Sequence, residues 1–181
     1  MRHICRITIF ASFLLLGLVI SPCLARQTAA EYPAEAKNRL EHIIGKWQSR
    51  WDYLDSTGAV VGSITGSEVA KYLIGEQVVE MTTVVPARNS TSKAWMFYNQ
   101  NEQKFYLTSV DAKGDFWLLT GGLDQYVIVS QPKRQPDGRD MVIRFTHSNI
   151  QRDSAEALME YSFDDGKSWR TGFRQYLTRV E

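Results

Sequence analysis

The feature that most constrains this fold is a change of period at Trp47. From there Trp47, Ser49, Trp51 and Tyr53 share one face, while Gln48, Arg50 and Asp52 share the other. A repeat of two belongs to a half-buried strand. Comparable segments follow at 60–74, 76–86, 94–99, 104–110, 115–120, 125–131, 141–149, 158–163 and 168–180. Short polar turns join them, among them Ser56-Thr-Gly58, Asn99-Gln-Asn-Glu102, Asp111-Ala-Lys-Gly114 and Gly121-Gly122. One longer connection, Pro132 to Gly138, holds two of the five prolines. Even spacing without an internal helix predicts an all-β, antiparallel fold. An up-and-down barrel of about 8–10 strands satisfies it and leaves no open edge.

Two segments precede this run. Pro33 fits the first turn of a helix, and Ala34, Ala36, Leu40, Ile43 and Ile44 follow a helical spacing that Gly45 stops. A short helix capping one end of the barrel is expected. Further upstream, Arg2, His3 and Arg6 form a basic start, residues 7–20 are apolar and uncharged, and Ser21-Pro-Cys-Leu-Ala25 supplies a breaker and a small residue. That is the anatomy of a secretory signal over residues 1–25, cut after Ala25, with an apolar stretch short for a membrane span. Residues 26–181 then form one domain, expected in the periplasm or outside the cell.

Both cysteines, Cys5 and Cys23, fall within the signal, so the exported chain is expected to lack thiols and disulfides. Lipidation of Cys23 is the rival reading, and Pro22 before it argues against it. Losing Arg2 and Arg6 takes 21 basic residues to 19 against 20 acidic. No basic stripe appears, which speaks against a nucleic acid or an anionic membrane as partner.

The bookends of the strand run carry a family likeness. Gly45-Lys-Trp47 after a short helical turn resembles the opening motif of lipocalins, in the calycin superfamily. The closing Ser162-Phe-Asp-Asp-Gly-Lys-Ser-Trp169 hairpin and Phe97-Tyr-Asn-Gln-Asn-Glu102 are similar to segments of small exported bacterial domains with lipocalin-like barrels. The resemblance implies that Trp47 packs at the closed end beneath an arginine from a late strand, Arg179 or else Arg174. It implies an interior binding site for an apolar or amphipathic small molecule. It also implies two further possibilities, haem held by a late-strand histidine and isomerase, cyclase or dehydratase chemistry by one acid and one polar residue.

The chemistry-bearing residues are few. Asp164, Gly166 and Trp169 fit an Asp-box, in which the aspartate accepts amides of its own turn, the glycine takes positive φ and the tryptophan covers the loop. That is a hairpin fastener. His42 is expected at the surface or rim. His147 shares a strand face with Met141, Ile143 and Phe145, expected to be the interior one, and is the histidine the resemblance would assign to haem. Glu80 is the candidate buried acid if its strand is shifted by one residue, and Glu80 with His147 is the catalytic pair to test. There is no Gly-x-Ser-x-Gly elbow, no phosphate loop and no zinc-like spacing, so no metal is expected. Aromatics make up 12% of the chain. Trp51, Tyr53, Tyr72, Trp95, Phe97, Phe105, Phe116, Tyr126 and Phe145 are candidates for the interior, with Trp51, Trp95, Phe97, Phe145 and His147 as the pocket lining. Such rings line a pocket or fill the barrel, and a filled barrel would be an interaction or envelope-stress module.

Overall fold

The computed structural model describes residues 32–180. The signal segment, with Cys5 and Cys23, lies outside them. Helix α1 (Ala34–Ile43) begins directly after Pro33 and ends where Ile44 turns extended and Gly45 takes a φ of 131°. It buries Ala36, Arg39 and Leu40, one stripe at i, i+3 and i+4.

The strands are β1 (Gly45–Leu54), β2 (Val60–Ile74), β3 (Val78–Val85), β4 (Ser90–Asn99), β5 (Lys104–Asp111), β6 (Phe116–Gly122), β7 (Val127–Ser130), β8 (Lys133–Arg134), β9 (Asp140–Gln151), β10 (Ser154–Ser162) and β11 (Arg170–Arg179). A single 3-10 turn, η1 (Pro86–Arg88), links β3 to β4. Every strand pairing is antiparallel. Strands β1 to β7 pair in sequence order, β7 pairs with β9, and β9, β10 and β11 return to β1. The ring closes with ten strands. Strand β8 stands outside it, a short arm that folds back on the start of β9.

Three boundaries differ from those the sequence suggests. Strand β10 starts at Ser154 and not near Leu158, because the β9–β10 turn is tight. Strand β4 starts at Ser90, directly after Asn89 takes a left-handed φ of 45°. The proline-bearing connection at 132–138 is partly hydrogen-bonded, through β8.

Register fixes which side chains face inward, since directly paired residues of antiparallel strands share a face. The inward set on β1 is Trp47, Ser49, Trp51 and Tyr53, as the alternation predicts. Around the closed end Ala36 and Leu40 of α1 pack on Ala70, Val79, Met96, Tyr98 and Phe105. A second cluster, Leu119, Ile128 and Ile143 with Trp117, Phe145 and Met159 against it, lines the opposite wall.

Alternation misplaces four aromatic side chains. Trp95 and Phe97 are on the outer face of β4, where Phe97 stacks on Tyr106 with centroids 5.4 Å apart, so neither lines the interior. Phe116 and Tyr126 are 52% and 46% exposed. In 94–98 and 116–119 apolar residues occupy both faces, so a period of two carries no sign there. The inward rings are instead Tyr98, Trp117, Tyr161 and Phe173, joining Trp51, Tyr53, Tyr72, Phe105 and Phe145.

Candidate ligand site within the barrel

One end of the barrel is sealed by Trp47 and Arg179. The Arg179 guanidinium lies 4.1 Å from the Trp47 ring and donates to the carbonyls of His42 (2.9 Å), Arg152 (3.0 Å) and Ile44. Trp47 Nε1–H donates to the Ile43 carbonyl at 2.8 Å. The bonds to His42, Ile43 and Ile44 satisfy carbonyls left open where α1 ends, and the one to Arg152 ties in the β9–β10 turn. Arg174 points outward and is exposed, so Arg179 is the arginine of the floor. His42 is half-buried at this end of the barrel. It leans on Trp47 at 5.8 Å, and burial followed by the charge of Arg179 lowers its pKa.

Beside this floor Arg39 crosses from α1 to the β6–β7 turn. Its guanidinium donates to the Gln125 carbonyl at 2.8 Å and lies 4.4 and 4.9 Å from the rings of Phe105 and Tyr126. The cation is thus committed to carbonyls and ring faces. His147 is inward-facing on β9, as expected. Burial foremost, then the charge of Arg39, lowers its pKa to about 4, against an opposing contact with the Tyr126 backbone. The ring is therefore neutral at physiological pH. Its Nδ1 is enclosed and without a hydrogen-bond partner.

Glu80 is not an interior acid. It sits on the outer face of β3 between Lys93 (3.2 Å) and Lys71 (3.6 Å), and the hydrogen bond from Lys93 leads the causes that lower its pKa. The pair Glu80 and His147 is therefore split across the barrel wall. The acid that does face inward is Glu68 of β2, flanked in register by Trp47 on β1 and Thr83 on β3. Its Oε1 accepts from Ser49 Oγ and Gln175 Nε2, both at 2.6 Å. Burial raises its pKa, partly offset by those two bonds. The signal for it was available, because Gly66, Glu68, Ala70 and Tyr72 form one face of β2. Gly66 has its own reason: a Cβ there would come within 2.9 Å of the Trp51 ring and run into the Val84 carbonyl.

Above this point the interior is not filled. Glu68, Tyr53, Trp117, Phe145, Phe173 and Gln175 all face inward in a closed ring, and all keep part of their accessible surface. Side chains so placed are reached through the barrel interior or its open mouth. Tyr53, Phe145 and Phe173 contact one another near the mouth, with centroids 5.9 and 6.0 Å apart, and Arg88 of η1 lies 4.9 Å from the Tyr53 ring. The best-formed concavities, grooves of about 300 and 510 Å³, are elsewhere. The smaller lies on the outer wall at Thr146, Ser148, Glu156, Leu158 and Arg174. The larger lies beside the β8 arm at Phe116, Gln131 and Lys133. We assign the site to the interior because polar anchors and rings converge there and not on the outer wall.

The Asp-box is a fastener, as its residues predict. Asp164 accepts from the Ser168 amide (2.9 Å), Ser168 Oγ (2.5 Å) and Ser162 Oγ (2.7 Å). Gly166 has a φ of 80°, and Asp165, where a second glycine is common, itself takes a φ of 58°. Trp169 covers the turn and carries Arg144 at 4.2 Å. Among the described residues no cluster of His, Cys, Asp or Glu could hold a metal ion, and no helix is long and apolar enough to cross a membrane.

No protein-family model and no curated protein matches this chain in sequence. Solved structures do match in fold. The S-type phycobiliprotein lyase CPES from Guillardia theta aligns at a TM-score of 0.50 and 11% identity, over 80% of this chain and 92% of its own. Rv2717c from M. tuberculosis aligns at 0.52 and 14%, over 83% and 100%. The protein is a closed, antiparallel, ten-stranded β-barrel, the fold these two structures share. At these identities the likeness is one of fold alone.

Proposed function

We propose that this protein is exported and binds a small apolar or amphipathic molecule inside its barrel, without transforming it. The observation that supports this reading is the accessible, ring-lined interior between Glu68 and the mouth. An apolar wall with few polar groups is the usual make-up of a small-molecule site, and a barrel of this size is just wide enough to hold one. Trp51, Phe145 and Phe173 would line the chamber, and His147 would sit at its floor.

Native mass spectrometry on the protein purified from its export compartment tests the reading. The expected spectrum shows a mature chain that starts near Arg26 and carries an adduct lost on denaturation. A chain retaining residues 1–25 would sink export. An apo mass, together with no change in tryptophan emission on adding an apolar probe such as decanol, would sink binding. The interaction-module reading needs one contiguous apolar patch. The exposed pairs Val60–Val61 and Leu73–Ile74 instead lie at opposite ends of β2, about 40 Å apart by strand rise.

A further inference from the structure

Glu68 is a costly residue to keep where it is. A carboxylate enclosed in a barrel loses its hydration, and natural proteins place one there only when it is paired or used. Its charge has no counter-ion among the described residues. The ion pairs join Glu76, Asp52, Glu80, Asp115, Asp140, Asp137, Glu160 and Asp153 to lysine or arginine, and Glu68 is in none. The interior arginines are occupied, Arg39 by the β6–β7 turn and Arg179 by the floor carbonyls. Both protein hydrogen bonds, from Ser49 and Gln175, converge on Oε1. Oε2 receives none among the described residues, although it is not one of the enclosed orphan atoms of the molecule. It therefore looks into the free interior.

A purely structural role does not require an acid here. A glutamine amide oxygen would accept the same two bonds without bringing a charge inside. What the acid adds is a second acceptor, open to the interior and able to carry negative charge.

We propose that Glu68 is the polar anchor of the barrel interior, and that it selects amphipathic ligands whose polar end donates hydrogen bonds, primary amines foremost, over those ending in a carboxylate. This rests on the reading that the interior takes a ligand. Ser49 and Gln175 are positioning residues that hold Oε1 so that Oε2 faces the guest. The apolar part of the guest would lie toward Phe145 and Phe173. An ammonium supplies the missing counter-ion and so favours the ionised carboxyl that burial alone disfavours, whereas a carboxylate-ended guest can be held only with a proton kept between the two carboxyls.

The test uses the mature exported protein and three probes with one tail: decylamine, decanol and decanoate. Emission from the inward tryptophans, two of which (Trp47 and Trp51) stand on the strand beside Glu68, reports occupancy. The expected order is decylamine, decanol, decanoate, with at least about tenfold between the first and last, the scale of one charge-assisted hydrogen bond. Glu68→Gln keeps both bonds to Oε1 and is expected to bring the three within about threefold. If decanol binds and decanoate equals or beats decylamine, the anchor is wrong while interior binding stands. If not even decanol binds, interior binding falls, and the anchor with it. Should Glu68→Gln fail to fold, the ranking on the unaltered protein decides alone.

Discussion

The two ends of this barrel are built on opposite terms. At the closed end Leu40, Ala36, Val79 and Phe105 show no accessible surface, and the guanidiniums of Arg39 and Arg179 are held by backbone carbonyls. At the mouth Tyr53, Phe145 and Phe173 keep part of theirs, and Arg88 of η1 leans over Tyr53. Chain connectivity explains the asymmetry. Helix α1 runs directly into β1, so it can fold back only across the end at which β1 begins. The difference teaches that stability and binding are separated along the axis. The floor carries the packing, and the mouth keeps the space.

The largest effect that could break this division is at Trp47. Trp47→Ala removes the ring on which Arg179 and His42 rest and is expected to cost about 3–5 kcal/mol, as large core truncations do. Urea denaturation measures it, and a midpoint unchanged from the parent would mean that the floor is not where stability resides. Arg179→Lys asks a sharper question about the same floor. Lysine keeps the charge but lacks the planar fork that reaches His42, Ile44 and Arg152 together. We expect a loss of about 1–3 kcal/mol from carbonyls left unpaired. Parent-like stability would show that the floor needs a charge and not a shape.

How much of this was legible in the sequence differs between the same two regions. Gly45, Trp47 and Arg179 could be placed because a motif ties them to one end of the chain. The Asp-box could be placed because its bonds are local. The interior could not be placed with the same rule, since alternation gives two faces and does not say which is inside. On β1 polar residues mark the outside, and the assignment holds for Trp51 and Tyr53. On β4 the run Ala94-Trp-Met-Phe-Tyr98 is apolar on both faces, so Trp95 and Phe97 fell on the wrong side. Glu80 and Glu68 repeat the lesson with acids. A glutamate among valines on β3 reads as a buried acid, yet lysines on neighbouring strands hold Glu80 outside. Glu68 lies in step with Gly66, Ala70 and Tyr72, small or apolar inward residues, and only the register around the closed ring shows where that step points.

The smallest effect tests the mouth, through the β10–β11 hairpin. Hydrogen bonds from Ser168 and Ser162 lower the Asp164 pKa from 3.8 to about 2. A folded-state pKa below the unfolded one means that the ionised form favours folding. That contribution is complete above the unfolded value and drains away as pH falls from about 4 to about 2, where both states bind the proton. Asp164→Asn has no proton to gain there. Its denaturation midpoint should therefore sit slightly below the parent's at neutral pH and converge on it by pH 2 or so. A gap that stays constant with pH would mean that the aspartate acts through turn shape alone. Because the hairpin is exposed and far from the floor, ranking this change below Trp47→Ala and Arg179→Lys also checks the division between the two ends. An Asp164→Asn loss as large as that of Trp47→Ala would place the mouth, and not the floor, in charge of stability.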